Sequence, residues 1–212
     1  MIPMLFEKTG MRISERGISL IELIMFIVIV SVALAGILLV LNVTDKSSAD
    51  PLVHKQALAI AESLLEEIEL MPFTYCDPDD PTAASAVSAT LGGQGCTAQV
   101  EQIGPEAAYA YQPAAETRSS LATPFDNVND YSGFTMNAGN GGIMDITGTA
   151  IPALNAYSAS VTESPLAFSG IAASDANGAP QVLLITVTVT GQDNLPVVLQ
   201  GIRTRYSPNT LP

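Results

Sequence analysis

The apolar run at residues 18–41 constrains this chain more than any other feature. It reads ISLIELIMFIVIVSVALAGILLVL and contains one charged side chain, that of Glu22. A helix of about 20 apolar residues crosses the roughly 30 Å hydrocarbon core of a bilayer. A chain in lipid must satisfy its own backbone hydrogen bonds, which selects a helix. The run therefore predicts a transmembrane helix over residues 18–41, with one carboxylate near its start.

The charges on the two sides of this run predict its orientation. Lys8, Arg12 and Arg16 precede it, whereas the chain as a whole has a net charge of −13. By the positive-inside rule, residues 1–17 lie in the cytoplasm and the acidic remainder lies outside. An acidic outer domain would repel a phosphate backbone, so we expect no nucleic-acid partner.

The residues at the start of the run carry a motif, Arg16-Gly17-Ile18-Ser19-Leu20-Ile21-Glu22-Leu23. It resembles the processing signature of the type IV pilin family, which includes the pseudopilins of type II secretion. The resemblance implies that a prepilin peptidase removes residues 1–17 as a leader, cutting between Gly17 and Ile18 and methylating the new N-terminus. The family usually has Phe at the position of Ile18. Either Met1 or Met11 can start this leader.

Glu22 needs a partner, because an unpaired carboxylate inside a bilayer is costly. In a pilin-like filament, the new α-amino group of Ile18 on a neighbouring subunit would supply the opposite charge and set the axial register of the helices. The alternative is a carboxylate that stays at the headgroup boundary without a partner. We interpret Glu22 as an assembly residue.

Residues 42–71 predict an amphipathic helix that continues from the apolar run. Within 51–71, apolar side chains recur at helical spacing, and Pro72 ends the pattern. Asp50-Pro51 fits either the start of a new helix or a position inside a continuing one. The acidic residues Glu62, Glu66, Glu67 and Glu69 mostly occupy the other side. We interpret the cluster of Glu66, Glu67 and Glu69 as a solvated face, with a metal site as the less favoured alternative.

The C-terminal third predicts strands at 157–161, 182–190 and 197–206. In 182–190, threonines alternate with Ile and Val, and a Gly191 turn leads to the last strand, on which Arg203 and Arg205 are expected to face solvent. The apolar side of this hairpin needs a cover, which the 51–71 helix can supply. We therefore predict an α+β fold, a long N-terminal helix packed on an antiparallel sheet, with residues 72–212 as the globular domain. Pilins have such a fold.

The two cysteines, Cys76 and Cys96, both follow the apolar run and so lie on its outer side. In an oxidising compartment such a pair usually forms a disulfide, and two free thiols are the alternative. A metal site on the cysteines is disfavoured, because the one histidine, His54, belongs to the separate amphipathic helix.

Residues 125–134, FDNVNDYSGF, place four side-chain oxygen donors between aromatic residues. Asp126, Asn127, Asn129 and Asp130 are hard donors that suit Ca²⁺, but the segment lacks the glycine and distal glutamate of an EF-hand. We interpret it as a turn built on Asx hydrogen bonds, with Ca²⁺ binding as the alternative. The segment resembles one in minor pilins of the mannose-sensitive haemagglutinin (MSHA) type, as does the run at 48–51.

The chain has no phosphate-binding glycine loop, nucleophile elbow or metal-binding His/Cys spacing, so we expect no enzyme activity and no cofactor. The resemblance implies a minor pilin-like subunit of an MSHA-type pilus, with roles in adhesion or pilus biogenesis. Its partners would be other pilin subunits, prepilin peptidase and the inner-membrane assembly machinery. Before assembly it would lie in the inner membrane with its globular domain in the periplasm, and afterwards in an extracellular pilus or a periplasmic pseudopilus. The alternatives are a minor pseudopilin of type II secretion and an uncleaved single-pass membrane protein whose outer domain binds a ligand.

Overall fold

One α-helix, α1, extends from Leu20 to Glu69 in a computed structural model that describes residues 19–205, without the side chains of 39–50. The backbone is helical through Asp50 and Pro51, so Asp50 does not cap a new helix. The chain divides after Ser48 into two units, which are described separately.

The second unit contains a four-stranded antiparallel sheet. Its strands are β1 (Thr135–Met136), β2 (Ser158–Pro165), β3 (Val182–Thr190) and β4 (Pro196–Thr204), and they lie side by side in chain order. Three short 3-10 helices, Val128–Tyr131, Ala138–Asn140 and Pro152–Leu154, interrupt the loops. The predicted α+β layout and the β3–β4 hairpin are confirmed. β2 is longer than the predicted 157–161, and β1 had no sequence signal.

The core of this unit lies between the C-terminal turns of α1 and one face of the sheet. Ala57, Ala61, Leu64 and Ile68 are at most 3% exposed and form one stripe at spacings of four, three and four residues. They belong to a single hydrophobic cluster with the inward side chains of β2 and β3. Full burial of a side chain such as Leu64 or Ile68 contributes about 1.5–3 kcal/mol, so this stripe holds the helix to the sheet.

Gly201 lies in the middle of β4 beneath side chains of α1. A Cβ atom at this position would lie 3.0 Å from Cδ1 of Leu65 and would also collide with the carboxylate of Glu69. A side chain here would therefore require both of these side chains to move aside.

The prediction that Arg203 and Arg205 face solvent is wrong. Both side chains are half-buried and alternate with exposed residues. They therefore lie on the same face of β4 as the buried Gly201, which is the face that α1 covers. The Arg203 guanidinium donates to the carbonyl of Met71 at 3.1 Å. The guanidinium of Arg205 stacks at 4.1 Å on the ring of Phe73, and burial lowers its pKa to about 10. Long arginine stems can cover apolar surface while their heads reach backbone carbonyls, which the strand pattern alone does not reveal.

The interpretation of the α1 acids as a solvated face is wrong for Glu67. Its Oε1 accepts hydrogen bonds from Nε of Arg118 and from the hydroxyl of Tyr131, and its Oε2 accepts one from Nη2 of Arg118, all at 2.7 Å. Both ion-pair side chains are mostly buried. Arg118 also donates to the carbonyls of Met144 and Asp145, so one carboxylate ties α1 to three loop segments.

We predict that Glu67→Gln destabilises the second unit by about 2–4 kcal/mol, because it leaves the Arg118 cation mostly buried without its carboxylate. Urea unfolding of the full chain in detergent micelles, followed by circular dichroism, measures this loss. Glu66→Gln is the matched control, since Glu66 is exposed on the same helical turn. Equal stability of the two variants would contradict the assignment.

Candidate functional site

A disulfide joins Cys76 and Cys96, with Cα atoms 5.4 Å apart, as predicted from the compartment. Both cysteines are fully buried. The bond closes a loop of about 20 residues, for which chain-entropy estimates give about 3 kcal/mol of stabilisation. It fixes the segment around residues 76–77 against the segment around 96–101.

Asp80 organises the interior of the disulfide loop. Its carboxylate accepts hydrogen bonds from the amides of Thr82, Thr97, Ala98 and Gln99 at 2.7–3.1 Å and from the Thr82 hydroxyl at 2.7 Å. Burial alone would raise the pKa of Asp80, but the hydrogen bonds from Thr82, Ala98 and Gln99 outweigh it and hold the pKa well below its usual value. The ionised carboxylate therefore satisfies backbone amides that strands or helices would otherwise pair in this loop.

Beside this loop, six acidic side chains from three chain segments converge. Backbone hydrogen bonds join the segments: the amide of Glu101 donates to Tyr75 at 3.0 Å, that of Gly104 to Asn129 at 2.9 Å, and that of Glu116 to Glu106 at 3.1 Å. We call this set the acidic cluster; it consists of Asp77, Glu101, Glu106, Glu116, Asp126 and Asp130.

The acidic cluster contains two groups of closely spaced carboxylate oxygens. Oxygens of Glu101, Glu106 and Asp130 lie within 4.8 Å of one another, and these three side chains are buried. Oxygens of the remaining three, Asp77, Glu116 and Asp126, satisfy the same distance, and Asp126 is only half-buried.

Burial and mutual repulsion raise the pKa values throughout the cluster. The pKa of Glu101 lies well above its usual value, because of burial first and then the neighbouring Glu106 and Asp130. Burial is also the largest cause for Glu106, Asp126 and Asp130, whose pKa values rise to about 8. The pKa of Glu116 rises to about 7. At neutral pH this cluster therefore either keeps protons or holds a cation.

The 125–134 segment forms a turn that an aspartate side chain holds, as predicted in outline, but the bonds run back to earlier amides and not two residues forward as in an Asx turn. Oδ2 of Asp130 accepts the amides of Asp126 at 2.9 Å and Asn127 at 2.7 Å, and Phe125 and Tyr131 are buried in edge-to-face contact. The same turn brings Asp126 and Asp130 into the two groups of the acidic cluster. Asn127 and Asn129 are fully buried beside them. The turn and a cation site are thus compatible with each other.

Sequence reasoning missed four members of the cluster, namely Asp77, Glu101, Glu106 and Glu116. They lie in an irregular region without periodicity, where surface acids are common, and only long-range backbone pairing brings them together. The one available signal was the expected disulfide. Asp77 directly follows Cys76, so a bond from Cys76 to Cys96 had to bring residue 77 close to residues 96–101.

In the first unit, α1 presents an apolar surface. Its segment Leu20–Leu38 has a mean hydropathy of 2.8 and is exposed along its length, so it is long and apolar enough to cross a membrane. Glu22 lies in the first turn and is the one charged residue of this segment. The predicted processing residues Gly17 and Ile18 lie outside the described residues, and their roles stay predictions.

A groove of about 680 Å³ opens along α1 within the second unit. The helix contributes Ala59, Ile60 and Ser63 to one wall, and Ile143, Ile146 and Leu154 from the loops form much of the other. The Glu67–Arg118 ion pair lies at its edge. Its walls are mainly apolar, which suits a hydrophobic side chain or a small apolar ligand.

Comparison of the chain with protein-family models finds no match. No curated protein and no solved structure matches it either.

We predict that Asp80→Asn destabilises the second unit by about 1.5–3 kcal/mol at pH 7, because the charged acceptor of several backbone amides is lost. The folded-state pKa of Asp80 is depressed, so its contribution is present above the unfolded pKa of about 3.9 and is lost as pH falls through the folded value. The wild-type and variant unfolding free energies should therefore converge in acid. Asp79→Asn is the control, because Asp79 is exposed; a pH-independent difference would count against the assignment.

Proposed function

We propose that this protein is a minor pilin-like subunit of a type IV filament. One observation carries the proposal: Glu22 is the one charged residue of the apolar segment Leu20–Leu38, and it follows the Arg16-Gly17-Ile18 motif at the spacing of the pilin processing signature. A plain membrane anchor gains nothing from a carboxylate within its apolar segment, whereas a subunit that must pair with a newly formed amine does.

The proposed mechanism has two steps. Prepilin peptidase cuts between Gly17 and Ile18 on the cytoplasmic side, which releases residues 1–17 and creates an N-terminal amine. During assembly this amine of one subunit meets Glu22 of its neighbour inside the apolar layer, where the low dielectric constant strengthens their attraction. Exposed apolar side chains of Leu20–Leu38 then pack against other subunits instead of lipid.

The α+β second unit would be the exposed head of this subunit. Its disulfide suits an oxidising compartment such as the periplasm. The 125–134 segment and the run at 48–51 favour an MSHA-type minor pilin, with roles in adhesion or pilus biogenesis, over a type II secretion pseudopilin. Before assembly the chain would stay in the inner membrane, in contact with the assembly machinery and other pilin subunits.

The groove beside α1 favours a second candidate, an uncleaved single-pass membrane protein whose outer domain binds an apolar ligand. This candidate predicts that residues 1–17 stay attached and that Glu22 has no role in assembly. The mass of the chain after exposure to prepilin peptidase and the effect of substituting Glu22 separate the two candidates.

We predict that co-expression with a prepilin peptidase shortens the chain by the mass of residues 1–17 and leaves a methylated N-terminus at Ile18. Intact mass spectrometry of the purified protein measures both changes. Gly17→Val, which places a branched side chain at the cleavage site, should block them. An N-terminus that stays at Met1 or Met11 would refute the proposal and favour the uncleaved protein.

We predict that Glu22→Ala leaves membrane insertion intact and lowers recovery of the protein in sheared filaments at least tenfold. The matched control is Ser31→Ala, because the Ser31 hydroxyl bonds to its own helix, at the carbonyl of Ile27. Quantitative immunoblotting of the membrane and filament fractions gives the ratio for both variants. Wild-type recovery of Glu22→Ala would mean that the carboxylate is no assembly residue.

A further inference from the structure

We propose that the acidic cluster of the second unit is a Ca²⁺ site, with Glu101, Glu106 and Asp130 as ligands of one ion and Asp77, Glu116 and Asp126 as ligands of a second. The proposal concerns the folded second unit alone and does not depend on filament assembly.

The first argument is the state of the carboxylate oxygens. Glu101 is 8% exposed, and no hydrogen-bond donor in residues 19–205 reaches either of its oxygens. Asp130 is 1% exposed and its Oδ1 is likewise unpartnered within the described chain. Buried polar atoms in folded proteins are nearly always satisfied, so atoms of this kind indicate a bound ligand.

The second argument is the way the cluster is held. Oε1 of Glu106 accepts the amide of Gln102 at 2.7 Å while Oε2 has no donor among the described residues. Oδ1 of Asp77 likewise accepts the amide of Asp79 at 2.7 Å, and Tyr109 hydrogen-bonds to the same carboxylate. In Asp130, Oδ2 accepts an amide and Oδ1 has no donor among the described residues. In Glu106 and Asp130, therefore, the backbone orients one oxygen and the other keeps its lone pairs, which is the arrangement that metal ligands need.

Neutral oxygen donors accompany the carboxylates. Asn129 and Gln112 are at most 1% exposed, and their side-chain carbonyl oxygens have no donor within the described residues. The amide nitrogen of Gln112 donates to the carbonyls of Glu106 and Ala114, at 3.3 and 2.9 Å, which fixes this side chain beside the cluster. Ca²⁺ takes six to eight oxygen ligands, and mixed carboxylate and amide sets are common among them.

The charge balance favours a cation over protons. The ion pair of the described chain, Arg118–Glu67, is separate from the cluster. Arg205 is within electrostatic range of Glu101, but its guanidinium donates to the carbonyl of Pro180 at 3.0–3.1 Å and packs on Phe73 and Tyr75. A divalent ion in each group of three carboxylates would offset most of a repulsion that the protein itself leaves uncompensated.

The kind of ligand atom favours Ca²⁺ among divalent ions. All six acids offer hard oxygens, and no His or Cys belongs to either group, which disfavours Zn²⁺. The oxygens of each group lie within 4.8 Å of one another, close enough to share one ion. Ca²⁺ suits such a protein-lined site because it takes six to eight oxygen ligands, whereas Mg²⁺ dehydrates reluctantly and usually keeps several waters.

The test uses the full chain in detergent micelles, first depleted of metal with EDTA. Circular dichroism follows thermal unfolding at constant ionic strength, since the chain has no Trp for fluorescence. With two sites occupied at a Ca²⁺ concentration of 100 times Kd, we expect Tm to rise by about 10–20 °C, with little change in equimolar Mg²⁺. Elemental analysis after desalting should find about two Ca²⁺ per chain. No rise and no retained ion would overturn the proposal.

The variant pair is Glu101→Gln combined with Asp130→Asn, compared with the exposed acids in Glu66→Gln combined with Asp79→Asn. The cluster variant should lose the Ca²⁺-dependent rise in Tm and yet, in EDTA, unfold at or above the wild-type temperature, because it removes two repelling charges. A merely structural role would lower Tm in both conditions. A control variant that loses the response equally would also contradict the site.

A measurement on the wild-type chain tests the site even if the cluster variant fails to fold. Tyr109 hydrogen-bonds to Asp77 and so lies close enough to sensitise emission from Tb³⁺, a luminescent substitute for Ca²⁺. Excitation of tyrosine should give Tb³⁺ emission that added Ca²⁺ displaces and Mg²⁺ does not. Carboxylates that merely share protons would give no such emission, and their Tm would fall as the pH rises through 8 whether or not Ca²⁺ is present.

Discussion

The packing of one helical stripe on one sheet face supports the whole second unit. Ala57, Ala61, Leu64 and Ile68 present a narrow apolar surface to β2 and β3, and small residues among them let the backbones approach closely. Gly201 leaves room on β4 for side chains of the helix. Apolar side chains of the long loops between residues 73 and 157 join the same cluster, so these loops depend on this layer for their position.

Charged and polar groups also hold those loops in place, and each buried charge is compensated in a different way. Glu67 is neutralised by Arg118, Arg205 is stabilised by aromatic rings and carbonyls, and Asp80 is satisfied by amides. Each of these buried charges has partners within the described chain. The acidic cluster differs, because its members have other carboxylates as neighbours and several of their oxygens have no donor among the described residues, and this contrast within one unit supports an added cation.

Sequence periodicity predicted the elements whose side chains alternate or repeat. The alternation of Thr and Val placed β3 at 182–190 without error, and the stripe on 51–71 identified the helix face that is buried. The Cys76–Cys96 bond followed from the compartment that the apolar run implied. These features are local in the chain or depend on a single pair of residues.

What the sequence did not reveal depends on contacts between distant segments. Glu67 looked solvated because its partner Arg118 lies 51 residues away in a loop without periodicity. Arg203 and Arg205 looked exposed because strand alternation does not register long side chains that reach carbonyls of another segment. Two of the six members of the acidic cluster, Asp126 and Asp130, were singled out from the sequence. The other four come from loops that only the folded backbone brings together.

The position of β3 in the middle of the sheet has a consequence for the order of events during synthesis. β3 pairs with the whole of β2 on one side and with the whole of β4 on the other, and both β3 and β4 follow every other element in the chain. The helical stripe emerges from the ribosome long before its partner strands exist. The apolar stripe of α1 therefore stays uncovered until the last strand has been synthesised. During this late stage of translation the nascent chain is most exposed to aggregation with other chains.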